Sequence, residues 1–402
     1  MNLTDLSHQV FSHQELGQQL KLFFFDEKSP GSAFFLPHGT ILYNKLLNYM
    51  REEYVVRGYK EVITPVIYDK DLWTQTGHWN KYKENMFCIE CEDPLNPEIS
   101  RQFALKPMNC GGHCLMFKQM NLSYRDLPLR LADFGVLHRN EIHGALRGLT
   151  RVRKFCQDDA HIFCKLDQVE QEIQGVIDFI KKVYKDFELD LTVGLSTRPE
   201  KYIGDIEIWN NAELVLKKII QEFPKYTIND GDGAFYGPKL DFTVSDTLGR
   251  LHQLGTIQLD FNLPERFNLT FHDWDDQHTR PVMIHRAILG SIERFIGILL
   301  ESTQGHLPWI VNPRQIALIP VKHNDPEISL YCKEINDRCK DRLILIDWLD
   351  GGETMQKKVA IAEALKYCYI IVVGKKEVNT HTLNIRGFKE PMNLDKFIEG
   401  LN

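Results

Sequence analysis

The sequence predicts an α+β protein: a largely antiparallel sheet with flanking helices through residue 312, followed by a small α/β unit. In the first part, apolar residues recur at helical spacing in some segments and alternate as in half-buried strands in others, without strict βαβ order. After Pro313 the pattern changes to short apolar strands that alternate with helices. We therefore expect two domains, 1–312 and 313–402, because a residue before proline resists helix formation.

The elements of the first domain follow from these patterns. Apolar residues recur every three or four positions in 40–58, which predicts an amphipathic helix ended by a glycine, and a second helix is predicted for 169–187. Alternation predicts strands within 130–138 and 239–244. The segment 90–100 is rich in Pro, Asp, Asn and Glu, which is typical of a surface loop.

The second domain has a regular order. Short apolar segments at 315–321, 342–348 and 369–373 predict three strands, separated by a polar helix and by a helix over 355–367. Strands joined by helical crossovers run parallel, so we expect a parallel sheet.

Composition narrows the class of protein. The 402 residues are 43% hydrophobic and 26% charged, as in globular proteins with a substantial core. The nine scattered cysteines favour a reducing compartment, and the acidic start of the chain (Asp5, Glu15, Asp26) argues against a secretory or mitochondrial signal. We therefore expect a cytoplasmic protein without a membrane span. Its net charge of −7 means that any RNA contact depends on local basic patches.

Two segments carry the chemistry of nucleotide binding. The chain has no Gly-x-x-x-x-Gly-Lys-Ser/Thr phosphate loop, so arginines would have to bind the phosphates if ATP is a ligand. Arg139 and Glu141 are expected on one strand, with Arg151 and Phe155 at the start of the next, and a hairpin would bring them together. A solvated basic hairpin is the alternative interpretation. Further on, Arg294 lies at the start of an apolar helix, where it needs a partner.

These segments resemble motifs 2 and 3 of the class II aminoacyl-tRNA synthetases. The resemblance implies that Arg139 binds the α-phosphate of ATP, Glu141 the adenine amino group and Arg151 the γ-phosphate, and that Phe155 and Arg294 hold the base between them. The segment ending Glu-Val-Ile-Thr-Pro65 resembles motif 1, which builds the dimer interface in class II enzymes. A homodimer is therefore expected.

Three separated residues, Cys110, His161 and His285, have the ligand types of an open zinc site. A buried cysteine is more often inert packing and a histidine more often a core residue, so the motif context is what favours zinc. Here the chain resembles the threonine-specific branch of class II, which discounts His113 as a ligand. Cys88 and Cys91 have local metal-ligand spacing, but no second pair follows them and we interpret them as incidental.

The resemblance implies how the amino acid is chosen. L-Threonine offers an amine and a hydroxyl to zinc, whereas valine has no hydroxyl. Asp159 resembles the acceptor of that hydroxyl. The other side chains implied in substrate binding are Gln157, Tyr236, Lys239, Gln258 and Ser291. Gln253 and Thr256 are implied in contacts with ATP ribose or substrate.

The implied reaction has two steps. The threonine carboxylate attacks the α-phosphate of ATP, which requires positioning and charge neutralisation by Arg139, Arg294 and Mg²⁺ rather than an acid or base. Transfer to tRNA(Thr) then requires removal of a ribose proton, and His78 matches a histidine that the family is thought to use.

The sequence departs from the family pattern at several places. Gly111 stands where relatives usually carry proline, a change expected to loosen the turn beside Cys110.

The C-terminal unit resembles the class IIa anticodon-binding domain, with fewer arginines around Lys357, Lys358 and Arg386 than is usual. Most full-length relatives also have an amino-terminal domain that hydrolyses seryl-tRNA, and this sequence begins after that region. Because a methyl group gives only about 1–3 kcal/mol of discrimination, we expect misactivation of serine.

Three other functions are compatible with parts of the sequence. A prolyl or seryl enzyme would not need Cys110, His161 and His285 together. A non-catalytic paralogue that binds RNA or protein would be expected to lose motif arginines, yet Arg139, Arg151 and Arg294 are present. A zinc hydrolase would cleave esters without ATP and leaves the arginine hairpin unexplained.

Overall fold

A computed structural model describes residues 10–93, 95–203, 205–234, 236–246 and 249–401. Asp5, which entered the targeting prediction, lies outside the described residues, as does Phe235 beside Tyr236. The strands are β1 (Phe23–Phe25), β2 (Ala33–Phe35), β3 (Lys60–Glu61), β4 (Ile67–Asp69), β5 (Cys88–Asp93), β6 (Asn96–Leu105), β7 (Leu129–Asp133), β8 (Val136–His138), β9 (Lys154–Cys164), β10 (Leu191–Ser196), β11 (Tyr226–Asn229), β12 (Lys239–Ser245), β13 (Leu251–Asp260), β14 (Phe271–His272), β15 (His278–Thr279), β16 (Val282–Ser291), β17 (Ile316–Pro320), β18 (Ile346–Trp348), β19 (Tyr369–Val373), β20 (Thr382–Ile385) and β21 (Met392–Asn393).

The α-helices are α1 (His13–Gln19), α2 (Pro37–Val56), α3 (Lys70–Thr76), α4 (His78–Lys81), α5 (Cys110–Met120), α6 (Val169–Asp186), α7 (Ile206–Ile220), α8 (Asn262–Arg266), α9 (Ile292–Thr303), α10 (Pro326–Lys340), α11 (Met355–Ala364), α12 (Lys375–Thr380) and α13 (Leu394–Gly400). Within the described part of the chain, no helix is both long and apolar enough to cross a membrane.

One compact unit comprises Phe25–Ala33 and Leu47–Ser302. Its main sheet has the order β11-β10-β12-β13-β16-β9-β7-β3, and β8 also pairs with β9. Neighbouring strands are antiparallel except β10 with β11 and β3 with β7. The largely antiparallel sheet is therefore confirmed.

Helices cover this sheet because they present apolar faces at helical spacing. Helix α6 buries Val176, Ile180 and Val183 and packs on β13 and β16. Helix α5 belongs to a core cluster with β7, β9 and β16, in which the ring centroids of Phe117 and Phe163 are 4.6 Å apart. The helices predicted for 40–58 and 169–187 are confirmed as α2 and α6, and Gly58 ends the first with φ of +69°.

The loop predicted for 90–100 is wrong, although residue 94 itself is not described. Strands β5 and β6 pair antiparallel, with Glu90 opposite Gln102 and Cys91 opposite Arg101, and β4 completes a three-stranded sheet. The described side chains at 90–92 are exposed or nearly so, so backbone pairing rather than burial holds the hairpin. A polar composition therefore did not exclude strands here.

The other compact unit comprises Met1–Phe24, of which residues 10–24 are described, together with Phe34–Leu46 and Thr303–Asn402, described to residue 401. Its sheet has the order β18-β17-β19-β20-β21. Strand β17 runs parallel to β18 and β19, as predicted, but β20 is antiparallel to β19. The predicted sheet was therefore incomplete, and helices α12 and α13 were missed. The boundary at Asn312-Pro313 stays a prediction.

Candidate active site

The register of the main sheet puts the polar residues of the site on one face. Directly opposite residues in antiparallel strands point to the same side, and so do residues two apart along a strand. His161 on β9 lies opposite His285 on β16. On the other side of β16, His285 lies opposite Gln258 on β13, and Gln258 in turn lies opposite Lys239 on β12. The same rule adds these residues to the face: Asp133, Asp159, Asp241, Thr256 and Asp260.

Two adjoining cavities open on this face. The larger is about 490 Å³. Its lining includes the predicted residues Arg139, Glu141, Arg151, Phe155, Gln157, Lys239, Gln253, Thr256, Gln258, Ser291 and Arg294. The smaller is about 190 Å³. Its lining includes the predicted residues His78, Cys110, Arg139, Gln157, Asp159, His161, Tyr236, Thr256, Gln258 and His285. Every residue predicted for the site thus lines one cavity or both.

The hairpin of β8 and β9 brings its four predicted side chains together. Leu137 pairs with Phe155, and the guanidinium of Arg139 lies 5.0 Å from the centre of the Phe155 ring. Arg151 Nη2 is 2.8 Å from Glu141 Oε2. One detail of the prediction is wrong: β8 ends at residue 138 and β9 begins at residue 154, so Arg139, Glu141 and Arg151 lie in the connection and only Phe155 lies on a strand.

Arg294 in the first turn of α9 faces the hairpin. Its Nε donates to the carbonyl oxygen of Thr150 and its Nη1 to that of Gln253, both at 2.9 Å. Burial and the nearby Arg139 and Arg151 lower its pKa. Three guanidinium groups therefore converge on one cavity, an arrangement that suits a polyphosphate.

The turn into α9 requires glycine. Gly290 has φ of +74°, and a Cβ there would meet the carbonyl oxygen of Leu254 at 2.5 Å. The next residue, Ser291, accepts a hydrogen bond from the backbone N–H of Arg294 at its Oγ, 3.1 Å away. This geometry presents Ser291 and Arg294 to the same cavity.

Sequence reasoning missed Asp241, which also lines the larger cavity. Its Oδ1 accepts hydrogen bonds from Gln253 Nε2 at 2.5 Å and from Thr256 Oγ1 at 3.2 Å, and its Oδ2 is 2.8 Å from Lys239 Nζ. One carboxylate thus contacts three residues that were predicted for the site. The signal was an acidic residue between Leu240 and Phe242 in a strand predicted to have one buried face.

The smaller cavity contains the thiol and the two imidazoles predicted to bind zinc. His161 Nε2 lies 2.9 Å from His285 Nδ1. The other nitrogen of His285 is 2.8 Å from Asp260 Oδ2, and that of His161 is 2.7 Å from His113 Nδ1. Cys110, the first residue of α5, is 3% exposed.

The donor set suits zinc in its chemistry. Among the described residues, no group of three or more His, Cys, Asp or Glu side chains is already arranged to hold a metal ion. Nonetheless, one nitrogen of His161 faces one nitrogen of His285, and a thiol lines the same cavity. The second nitrogen of each ring contacts another side chain, which fixes the orientation of the ring. Burial, then the carboxylates of Asp159 and Asp260, raise the pKa of the Cys110 thiol, whereas a bound cation would favour the thiolate.

The remaining residues of the smaller cavity are held in place. Asn109 Nδ2 donates to Asp159 Oδ2 at 3.1 Å, and the Tyr236 hydroxyl donates to Gln258 Oε1 at 3.0 Å. His78 Nδ1 is 2.8 Å from Thr76 Oγ1, and burial, followed by repulsion from His285, lowers the pKa of His78 to about 4. At neutral pH the His78 ring is therefore uncharged.

The other cysteine pair lies outside this site. Cys88 and Cys91 are on β5, a strand rather than the predicted loop, and their offset of three residues points them to opposite faces. Gly111, the second residue of α5, is helical, so the segment beside Cys110 is a helix rather than a turn.

An arginine-lined cavity on an antiparallel sheet, without a phosphate loop in the sequence, is the arrangement of a class II aminoacyl-tRNA synthetase core. Residues 90–303 match the family model of the tRNA synthetase class II core domain (G, H, P, S and T), and residues 315–402 match that of the anticodon binding domain.

Comparisons with individual proteins identify the branch of the class II synthetases. The chain is 52% identical over 378 residues to threonine--tRNA ligase 1, cytoplasmic, of Rattus norvegicus, covering 93% of this chain and 53% of the relative. A solved structure named as the RNA binding domain of threonyl-tRNA synthetase from Cryptosporidium parvum is 44% identical with a TM-score of 0.91, covering 97% of this chain and 98% of that one. A putative threonyl-tRNA synthetase from Aeropyrum pernix is 28% identical with a TM-score of 0.82, and the match covers 97% of each chain.

The chain therefore belongs to the threonyl-tRNA synthetase family of class II synthetases. It spans about half the length of the curated relatives that it matches.

Proposed function

We propose that the chain is an ATP-dependent threonine–tRNA ligase, which joins L-threonine to AMP and then transfers it to the 3′ end of tRNA(Thr). The observation that carries this proposal is the pair of adjoining cavities, one lined by three arginines and the other by a thiol and two imidazoles, with Arg139 and Gln157 among the residues that line both. Residues that line both cavities can hold a ligand of one cavity next to a ligand of the other, as a reaction between the two ligands requires. Relatives of the chain are named cytoplasmic, and we assign this protein to the same compartment.

In the first step, a carboxylate oxygen of threonine attacks the α-phosphorus of ATP, and pyrophosphate leaves. The carboxylate is already an anion, so the residues act by orientation and by charge rather than as acid or base. Arg139 would bind the α-phosphate, Arg151 the γ-phosphate, and Phe155 and Arg294 the two faces of adenine. Mg²⁺ bound with ATP would offset further phosphate charge.

The amino acid would be selected in the smaller cavity. Cys110, His161 and His285 would hold one zinc ion, which when bound supplies a Lewis-acid site for the amine and hydroxyl of threonine. Asp159 would accept the hydrogen bond of that hydroxyl, with Gln157, Tyr236 and Gln258 around it and Lys239 in the adjoining larger cavity. Valine has no hydroxyl, so it would leave a coordination position of the zinc unfilled and would not supply the hydrogen bond to Asp159.

In the second step, the ribose hydroxyl of tRNA attacks the carbonyl carbon of the adenylate, and AMP leaves. His78 lines the smaller cavity and is uncharged at neutral pH, so it can accept the hydroxyl proton. Its Nδ1 contacts Thr76, which leaves Nε2 for this role.

The C-terminal domain, which we propose begins at residue 313, would contact the tRNA anticodon. Its basic side chains are only partly available for RNA. Arg386 Nε is 2.7 Å from Glu363 Oε1, and Lys358 is 4% exposed, so neither is a free surface cation.

ATP–pyrophosphate exchange tests this proposal directly. Zinc-replete protein should exchange with threonine, more weakly with serine, and not with valine, because serine retains the amine and hydroxyl that zinc binds. A Thr-over-Ser preference far above the ~1–3 kcal/mol of one methyl would contradict the predicted serine misactivation. No exchange with any of the three, despite bound zinc, would replace the proposal with the non-catalytic paralogue.

A further inference from the structure

A chain of buried polar groups lies behind the two facing histidines. His113 on α5 is fully buried, and its Nδ1 is 2.7 Å from His161 Nδ1. Its other nitrogen, Nε2, is 3.9 Å from Asp133 Oδ2 and makes no hydrogen bond among the described residues. His113 does not line the cavity itself. Its hydrogen-bond contact with a residue of the cavity lining is the one with His161.

The position of Asp133 is set by groups on the far side. Its Oδ2 accepts a hydrogen bond from Thr64 Oγ1 at 2.7 Å and lies 3.4 Å from Lys106 Nζ. Lys106 and Asp133 are 1% and 4% exposed, respectively, so the ion pair cannot swing into solvent. A fixed carboxylate thus faces Nε2 of His113.

These contacts select a tautomer for each ring. A carboxylate opposite His113 Nε2 favours the proton on that nitrogen, which leaves Nδ1 to accept from His161 Nδ1–H. Asp260 likewise favours the proton on His285 Nε2. His161 Nε2 and His285 Nδ1 then turn lone pairs toward each other at 2.9 Å, an arrangement that a cation bound by both nitrogens would stabilise.

We propose that His113 is a positioning residue for the metal site: its Nδ1 accepts the hydrogen bond of His161 Nδ1–H and keeps the lone pair of His161 Nε2 directed at the metal. This inference rests on the zinc site of the proposed function. His113 is not a fourth ligand, because one of its nitrogens contacts His161 and the other faces Asp133.

Two substitutions that differ in hydrogen-bonding capacity test the role. In His113→Asn the side-chain oxygen can replace Nδ1 as acceptor, whereas His113→Leu offers no acceptor. Zinc affinity, measured by competition with a chromogenic chelator, should fall about 10- to 100-fold in His113→Leu and stay close to that of the unaltered chain in His113→Asn. The absorption spectrum of the Co²⁺-loaded protein should change in His113→Leu alone.

The controls separate positioning from packing. Cys114→Ala removes a buried side chain from the same helix, next to His113, and should lower thermal stability without changing zinc affinity. Equal affinity in His113→Leu and the unaltered chain, or equal losses in the Leu and Asn variants, would overturn the positioning role. An unaltered chain that binds no zinc would instead overturn the metal site of the proposed function.

A second measurement needs no substitution. Histidine ¹⁵N NMR of the zinc-loaded chain should show His161 protonated at Nδ1 and His113 at Nε2. The opposite pattern, with His113 protonated at Nδ1, would overturn the proposal even if His113→Leu does not fold.

Discussion

Arg294 is held by two backbone carbonyl oxygens rather than by a carboxylate. Its planar guanidinium can keep both bonds while one face stays open to the cavity, whereas a lysine ammonium has no such face. The apolar surroundings of Arg294 in the sequence indicated that it needs a partner, but not that the partner would be the backbone.

Arg294→Gln should reduce the rate of threonine-dependent ATP–pyrophosphate exchange about 10²–10³-fold, because it removes one preorganised cation from the nucleotide cavity. The matched control is Arg280→Gln, since Arg280 is partly exposed, lies 4.0 Å from Glu265 and does not line either cavity of the site. Similar rates for the two variants would remove Arg294 from the proposed machinery.

Asp241→Asn should raise the KM for threonine more than the KM for ATP and leave the fold intact. The amide keeps an oxygen for Gln253 and Thr256 but loses the charge that faces Lys239, the proposed threonine-binding residue of this group. Steady-state exchange kinetics over a range of threonine and ATP concentrations measure this change. An unaltered KM for threonine would contradict the role of Asp241 in holding Lys239.

At the scale of elements, helix α5 combines the proposed metal ligand Cys110 with two adjacent glycines. The helix places Gly111 against Leu72 and Thr76, and Gly112 against Tyr68 and Thr64. Neither glycine has a positive φ, so the backbone conformation does not require them and the surrounding space decides what each tolerates.

Gly111→Ala should change the free energy of unfolding by less than about 0.5 kcal/mol, because the gain in helix propensity is offset by a tight contact of 3.3 Å between its Cβ and Thr76 Cγ2. Gly112→Ala should lower it by about 1–3 kcal/mol, since its Cβ would meet the Tyr68 hydroxyl at 2.7 Å. Urea denaturation of both variants measures the difference. The opposite order of stability would mean that α5 packs differently.

The strands that the sequence did not predict show what local sequence patterns cannot indicate. Strands β5 and β6 form an exposed hairpin, in which the backbones of the two strands pair with each other. The side-chain composition of a segment does not predict such backbone pairing. The missed strands β20 and β21 are only four and two residues long, too short for a clear alternation. Longer segments with regular periodicity, such as α6, were predicted closely.

At the scale of the whole molecule, exposed apolar residues lie within the segment that resembles motif 1 and just before it. Val55, Val56 and Ile63 are 80%, 79% and 88% exposed, respectively. Exposed apolar side chains that are concentrated in one short part of the chain are typical of interfaces. We therefore propose that the expected homodimer forms through these residues.

Ile63→Asp and Val56→Asp should each shift the protein from dimer to monomer, because they place a charge where apolar surface would be buried. Size-exclusion chromatography with light scattering measures the mass. The control is Leu343→Asp in the C-terminal unit, where the leucine is equally exposed at 88%. A dimer that persists in both test variants would place the interface elsewhere or contradict it.

The sequence by itself determined the α+β class and several helices and strands, because these depend on periodicity within short stretches, and its motifs predicted the residues of the candidate site through a family resemblance. His161 and His285 could be named as partners from the sequence only through a family resemblance. Tertiary structure alone decided their contact, since the register of β9 with β16 sets which residues face each other. The register of β12 with β13 put Asp241 opposite Thr256, and the packing of α5 let His113 contact His161. Such roles depend on which residues meet across strands and helices, and that information is absent from any local pattern.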